Sequence, residues 1–306
     1  MAANWLAAHG QWQVISGGCV VASQPVLNIM SSANVNSLFW IKSLEASEEG
    51  TTQRVLDDLE PFLSKLGVPF QVFTPKTSAE LLSYLSDIES YAQAGARPMI
   101  HIDTHGGPDD GICIIGANGD EFVPWNVVCD SLRSINIATG NNLCVVSAAC
   151  FGFYVVKHND IHKPVPFYML VSSSKTLSFK FTEAQTFGFY KCIFEELDFI
   201  KGYNEYLASE MELFLCEKLF AISLSRYFRF KCMGKGGKKR VEDLVTMALQ
   251  GRIPPTPANL SFLRQAARQH IKPSEALFSK YASTYFIGKS PGFTFSDVIK
   301  FVRARA

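Results

Sequence analysis

Five short apolar runs alternate with helical patterns between residues 37 and about 197 of this 306-residue chain, and this order constrains the fold more than any other feature. The runs cover residues 37–42, 68–73, 98–103, 143–149 and 167–172. Strands separated by helices pair in parallel through right-handed crossovers. Because the runs are apolar almost throughout, helices are expected on both faces of the sheet. The sequence therefore predicts a doubly wound, mainly parallel α/β sheet.

The helical patterns of this region have apolar residues three or four positions apart. They cover residues 51–66, 77 to about 95, 126 to about 137, and about 182–197. Thr77 and Glu80 form a capping-box pattern at the start of the second, and Pro61 is expected to bend the first without ending it. A hairpin with its turn at Asn118-Gly119 is expected before the third helix.

The pattern changes after about residue 200. Residues 203–230 form one long, aromatic-rich helical pattern, and residues 231–240 combine glycine with lysine and arginine, which indicates a basic loop. Short helices are expected at 257–270, 274–281 and 296–303. The sequence therefore predicts an α/β domain over residues 1–200 and an α-helical extension over residues 201–306.

Composition excludes several functional classes. A hydrophobic content of 47% with 19% charged residues is typical of a globular protein, and a net charge of +1 gives no reason to expect nucleic acid or an anionic membrane as a partner. No apolar stretch of about 18 residues predicts a spanning helix, and the N-terminus lacks the features of a secretion signal. Eight cysteines without C-x-x-C pairs are typical of reduced thiols. These features predict a cytoplasmic protein.

The third and fourth apolar runs lead into reactive side chains beside glycine. One reaches His105-Gly106, and the other, 45 residues later, reaches Cys150 with Gly152 two positions on. The carboxyl ends of parallel strands meet at one edge of an open α/β sheet, where ligands bind. A cysteine attacks carbonyl carbon as thiolate, and histidine can serve as its base and then as an acid near neutral pH. The pairing therefore predicts a cysteine peptidase.

These motifs resemble the caspase-like superfamily of cysteine peptidases, which includes caspases, metacaspases, separases, gingipains and bacterial CHAT peptidases. In that superfamily a His-Gly pair ends the third strand, and an Ala-Cys or similar pair ends the fourth. The caspase signature is Gln-Ala-Cys-x-Gly, whereas this chain has Ala-Ala-Cys-Phe-Gly at residues 148–152. Because Ala148 stands where caspases have glutamine, the motif resembles the bacterial branch more than true caspases. The resemblance covers residues 37–195.

The resemblance implies a catalytic dyad of Cys150 and His105, with the oxyanion held by the main-chain N–H groups of Gly106 and Cys150. It implies peptide hydrolysis through an acyl-enzyme without a cofactor, and a protein substrate whose backbone binds along the segment after the fifth strand, at Ser172, Ser173 and Ser174. It also implies a regulated protease with few targets, acting in bacterial defence or cell death by cleaving an effector such as a gasdermin-like pore former. The helical extension would regulate the protease or recruit its substrate.

Two other classes of function stay open. His101, Asp103 and His105 alternate along one strand and could share a face that binds a metal, as in a metal-dependent hydrolase. A catalytically silent scaffold with the same fold is the second alternative. As single residues, His101 and Cys144 are expected in the core, and Glu45 is expected to be a solvated carboxylate, with a role as specificity acid as its alternative.

Overall fold

A computed structural model of the chain describes residues 27–251 and 253–304. Its strands, in chain order, are β1 (Ser37–Ser43), β2 (Phe70–Phe73), β3 (Pro98–Gly107), β4 (Gly111–Ile114), β5 (Glu121–Val123), β6 (Cys144–Ser147), β7 (Met169–Ser172) and β8 (Glu212–Leu215). They form a mixed sheet with the order β2-β1-β3-β6-β7-β8. All neighbours in this order are parallel except β7 and β8, and the β4–β5 hairpin pairs with the end of β3.

Helices separate and follow these strands. They are α1 (Glu49–Lys65), α2 (Ser78–Gln93), α3 (Trp125–Ala138), α4 (Phe179–Lys191), α5 (Phe199–Gly202), α6 (Cys216–Tyr227), α7 (Gly234–Gln250), α8 (Pro257–Ile271), α9 (Glu275–Tyr285) and α10 (Phe295–Arg303). A 3-10 helix covers Gly152–His158, and π-helical turns cover Cys192–Glu196, Tyr203–Leu207 and Phe228–Cys232. The described chain is therefore an α/β protein with a mostly parallel mixed sheet flanked by helices.

The five predicted strands and the four helices between residues 49 and 197 are confirmed, with small shifts at their ends. Thr77 caps α2 by accepting a hydrogen bond from the Glu80 N–H at 3.1 Å. The Glu80 carboxylate accepts from the Lys76 N–H at 2.7 Å, so the second half of the predicted capping box is displaced by one residue. Pro61 lies inside α1 without ending it, as predicted.

Burial explains why the central strands are mostly apolar. Every residue of β6 and β7 is buried, and so are all residues of β3 from Pro98 to Thr104. A strand in the middle of a sheet covered by helices has no solvent-facing side, so alternation of polar and apolar residues is lost. Only the end of β3, from His105 onward, reaches partial exposure.

The prediction of one long helix over residues 203–230 is wrong. Residues 212–215 form β8, which pairs antiparallel with β7 in a register that joins Ser172 to Glu212 and Met169 to Leu215. Leu213, Phe214 and Leu215 fit a helical apolar pattern and a buried strand equally well, and no glycine or proline marks the strand's limits. Pairing with the free edge of β7 decides the conformation, which periodicity along the chain does not show.

The prediction of a basic loop over residues 231–240 is also wrong, because α7 begins at Gly234. The glycines of this segment permit close approach of two backbone segments. A Cβ atom on Gly236 would overlap the carbonyl group of Phe230, and one on Gly237 would lie 2.6 Å from the carbonyl oxygen of Cys232. These glycines let the first turn of α7 pack against the preceding π-helical turn.

The described residues divide into two compact units. Residues 31–216 and 284–289 form the sheet unit, so β8 belongs to it although it lies beyond the predicted boundary at residue 200. The helical unit contains residues 217–251, 253–283 and 290–304, together with 27–30. Its predicted helices after residue 256 are confirmed as α8, α9 and α10, and the Phe220, Phe278 and Phe293 rings pack together in it. Over the described ranges, no helix has the length and apolar character needed to cross a membrane.

Candidate active site

The parallel register of β3 and β6 brings the two sequence motifs to one edge of the sheet. Ile102 is paired with Ser147, and the Ala148 N–H donates to the Ile102 carbonyl oxygen at 2.7 Å. His105 and Cys150 each follow the Ile102–Ser147 pair by three residues. The two side chains therefore emerge at the carboxyl edge of neighbouring strands.

The backbones of the two motifs touch at Gly106. A Cβ atom on Gly106 would overlap the carbonyl oxygen of Cys150 and would lie 3.3 Å from the Cβ of Ala149. Antiparallel pairing with β4, in which His105 is opposite Cys113, fixes the course of β3 at this point. Glycine is required here because any side chain would push the two strand ends apart.

Cys150 lies in a tight turn. Phe151 has a φ of 59°, in the left-handed region that non-glycine residues seldom adopt, and the Gly152 N–H donates to the Ala149 carbonyl at 3.1 Å. A Cβ on Gly152 would lie 2.5 Å from the Ser147 Oγ and would overlap the Ser172 Oγ. The turn leaves Cys150 half-buried, whereas Cys113, Cys129, Cys144, Cys192 and Cys216 are buried.

The segment 173–177 runs alongside the cysteine. The Leu177 N–H donates to the Cys150 Sγ at 3.3 Å, and the Phe151 N–H donates to the Lys175 carbonyl at 3.1 Å. The Lys175 ammonium is in turn 2.9 Å from the Glu210 carboxylate. This segment therefore forms one wall beside the sulfur atom and supplies it with a main-chain N–H.

His105 is held by a carboxylate that the sequence motifs did not reveal. Its Nε2 is 2.8 Å from the Glu48 Oε2, and the two side chains are 35% and 24% exposed. The Phe179 ring approaches the imidazole edge to face, with ring centres 6.0 Å apart. Glu48 lies just before α1, after the end of β1, which is a neighbour of β3 in the sheet. Glu45, named from the sequence, is exposed.

His101 is a core residue. Its ring stacks on Trp40 with centres 3.6 Å apart, and its Nδ1 is 2.8 Å from the Tyr190 hydroxyl. Burial lowers the pKa of His101 to about 3, so the ring is neutral at physiological pH.

Asp103 is buried as well, and it accepts a hydrogen bond from the Thr52 Oγ1 at 2.5 Å. Burial raises the pKa of this carboxyl. His101, Asp103 and His105 thus contact three different partners. No group of three or more His, Cys, Asp or Glu side chains arranged to hold a metal occurs in the described part of the chain.

The three serines after β7 have partners within the protein. Ser172 is buried and donates from its Oγ to the Ser147 carbonyl at 2.8 Å. Ser173 is buried, and its carbonyl accepts from the Phe153 N–H at 3.0 Å. Ser174 binds the Glu212 carboxylate through its N–H at 2.9 Å and its Oγ at 2.5 Å. The Ser173 Oγ accepts from the Lys175 N–H at 3.2 Å. The three hydroxyl groups therefore help to fix the wall beside Cys150, and a role in binding substrate stays a prediction.

No protein-family model matches the sequence, and no curated protein matches it.

Proposed function

We propose that this chain is a cysteine endopeptidase of the caspase-like superfamily. The observation that carries the proposal is the shared register of β3 and β6, which takes His105 and Cys150 to one edge of the sheet, each three residues beyond the Ile102–Ser147 pair. The close approach of Gly106 to Cys150 adds a physical reason for the His-Gly pair of the motif. His105 and Cys150 are both partly exposed, and a nucleophile and its base must be exposed to react with a substrate that arrives from solvent.

The first chemical step would form a tetrahedral intermediate. The Cys150 thiol gives its proton to the unprotonated ring nitrogen of His105, and the sulfur attacks the carbonyl carbon of the scissile peptide. The carbonyl π electrons move to oxygen, and the N–H groups of Gly106 and Cys150 donate to that oxyanion. Within the described residues the Cys150 N–H has no hydrogen-bond partner, so it is available for this role.

The second step would break the carbon–nitrogen bond as the oxyanion collapses. The protonated His105 gives its proton to the departing amine, leaving a thioester on Cys150. In deacylation a water gives a proton to His105 while its oxygen attacks the thioester carbon. The sulfur leaves as thiolate and recovers the proton from His105, and the carboxylic acid product departs. No cofactor takes part in these steps.

The proposed substrate is a protein whose backbone lies along the segment after β7, at Ser172, Ser173 and Ser174, as the resemblance implies. The resemblance to the bacterial branch favours a cytoplasmic protease with few targets that acts in defence or cell death. Fold-level analogy is the basis of that role. The helical unit after residue 216 would regulate the protease or recruit its substrate.

The proposal is tested with a peptide library and two cysteine variants. Wild-type protein and Cys144→Ala should cleave a subset of peptides, whereas Cys150→Ala should lose at least about 10³-fold of the activity. Alkylation should inactivate the enzyme and a chelator should not. Cleavage that survives in Cys150→Ala contradicts the proposal. Inhibition by chelator alone would favour the metal-dependent hydrolase, and a chain that cleaves nothing and leaves Cys150 unlabelled would favour the silent scaffold.

A further inference from the structure

We infer that Glu48 is a positioning residue, which fixes the tautomer and orientation of His105 so that the other ring nitrogen faces the reaction. This inference rests on the proposed peptidase function and adds a third residue to the dyad. The contact that carries it joins the His105 Nε2 to the Glu48 Oε2 at 2.8 Å.

The chemistry of the two groups determines which nitrogen carries the hydrogen. An ionised carboxylate only accepts hydrogen bonds, so the Nε2 of a neutral His105 ring must carry the N–H that donates to Glu48. The Nδ1 of the same ring is then unprotonated and can take a proton from the Cys150 thiol. When the ring becomes an imidazolium in the acylation step, the Glu48 charge lies next to it and stabilises it.

Glu48 is itself held in place. The Glu48 N–H donates to the Glu45 carbonyl at 2.9 Å, and the Glu45 N–H donates to the Glu48 Oε2 at 3.3 Å. The same carboxylate oxygen therefore joins the turn of residues 45–48 to the imidazole. A carboxylate fixed by its own backbone turn can orient the ring at a lower entropic cost than a free side chain can.

A second contact also confines the imidazole, because the Phe179 ring meets it edge to face. Phe179 begins α4, which packs against α1. The other nearby carboxylate, Asp103, accepts a hydrogen bond from Thr52 in the core. Among the described residues, Glu48 is the only carboxylate hydrogen-bonded to His105.

A different role for Glu48 makes a different kinetic prediction. A carboxylate that recognises a basic substrate residue would contribute mainly to binding, so its loss would raise KM for peptides with lysine or arginine at the cleavage site. A positioning residue acts on the chemical step, so its loss lowers kcat and leaves KM nearly unchanged. Loss of the hydrogen-bond partner that orients a metal-binding histidine typically costs about 10- to 100-fold, and we expect a loss of at least that size for Glu48.

The experiment combines NMR with kinetics on the full-length chain. Protein labelled with ¹⁵N-histidine reports the tautomer of each ring, and His105→Gln assigns the His105 signals. We expect the Nε2–H tautomer in the wild type and a mixture in Glu48→Ala, with kcat reduced at least about 10-fold and KM changed less than about twofold. Glu48→Asp should recover part of kcat. Glu49→Ala, which removes a neighbouring carboxylate without a hydrogen bond to His105, is the matched control.

The outcomes separate this inference from the proposed function. An unchanged tautomer in Glu48→Ala overturns the positioning role even if the enzyme is active, and so does a selective rise in KM for basic peptides. The tautomer is measured without turnover. The wild type could therefore be inactive and still have an Nε2–H tautomer at His105 that Glu48→Ala disturbs. That result would refute the peptidase function and would support the role of Glu48 in orienting His105. Thermal unfolding of each variant shows whether a loss of kcat reflects loss of fold.

Discussion

Two neighbouring parallel strands, with the turn that follows one of them, contain a histidine and a cysteine twice, once in the interior and once at the sheet edge. His101 on β3 and Cys144 on β6 lie in the core, whereas His105 and Cys150 emerge at the carboxyl edge. The inner histidine has a pKa lowered to about 3 by burial, and the inner thiol has a pKa raised to about 12 by burial. Residue type is therefore a poor guide to reactivity here, and position along the strand decides which groups are accessible.

The polar partners of the two pairs differ in the same way. The Tyr190 hydroxyl is the hydrogen-bond partner of His101, the inner histidine, within the core. A carboxylate orients the outer histidine at the sheet edge, and a main-chain N–H reaches the outer sulfur. Burial disfavours the charged forms of the inner histidine and thiol, whereas the outer two side chains are partly exposed and have polar partners.

The largest expected effect is the difference in thiol reactivity between Cys150 and Cys144. Iodoacetamide at pH 7 should label Cys150 at least about 10³ times faster in the native protein, since burial keeps Cys144 protonated. Mass spectrometry of the labelled peptides measures both rates. Cys150→Ser should remove the fast phase only, and denaturant should abolish the difference. Similar labelling rates for Cys150 and Cys144 in the native protein would show that the sheet edge and the interior do not differ in thiol accessibility.

The inner histidine should make the fold sensitive to acid. A folded-state pKa of about 3, below the ordinary value of 6.5, means that only the unfolded chain binds this proton between those values. Stability should therefore fall as pH drops from about 6.5 toward 3, by roughly 3 kcal/mol near pH 4.5. Urea unfolding at a series of pH values measures this loss.

Two histidine variants isolate that effect. His101→Phe keeps an aromatic ring against Trp40 and should flatten this part of the pH dependence, while substitution of the exposed His270 by glutamine should leave it unchanged. An identical pH dependence in His101→Phe would assign the acid sensitivity to other groups.

Gly106→Ala tests the contact between the two strand ends. The added methyl group overlaps the Cys150 carbonyl, so we expect a loss of about 1–3 kcal/mol in unfolding free energy. Under the proposed function, a large loss of peptidase activity accompanies it. Gly50→Ala is the control, since its nearest neighbour would be the flexible Arg54 side chain at 3.6 Å, and a helical alanine should be neutral or stabilising by up to about 1 kcal/mol. A fully stable and active Gly106→Ala protein would mean that the strand ends are not in contact.

The smallest expected effect concerns the buried Asp103 carboxyl, which lies between His101 and His105 along β3. Thr52→Val removes the hydroxyl that donates to Asp103 and should cost about 1–2 kcal/mol of stability, because a buried carboxyl loses its partner. Thr51→Val, next in sequence and only partly buried, is the control. Chemical denaturation compares the two variants, and equal stabilities would show that the Thr52 hydroxyl contributes nothing.

Much of the sheet unit could be predicted from the sequence because its central strands are buried on both faces and their apolar runs are continuous. The parallel order then places the ends of the third and fourth runs together, which is why His105 and Cys150 could be chosen over His101 and Cys144. The Asn118-Gly119 turn and the Thr77 cap are local signals of the same kind.

Features that depend on contacts distant in sequence could not be predicted. Glu48 meets His105 across 57 residues, and nothing in residues 45–49 distinguishes one glutamate from its neighbours. β8 forms because the edge of β7 is free to pair. The glycines in the first turn of α7 are typical of a loop in composition, and their need for close packing is visible only in three dimensions.

Ser174 is hydrogen-bonded to Glu212, and Lys175 forms an ion pair with Glu210. These two contacts connect the wall beside the Cys150 sulfur to the start of β8. The position of this wall therefore depends in part on Glu210 and Glu212, which lie outside it. Insertions or charge reversals at positions 210–212 would move this wall and change access to the Cys150 thiol. Under the proposed peptidase function, substrate selectivity would then change while His105 and Cys150 keep their places.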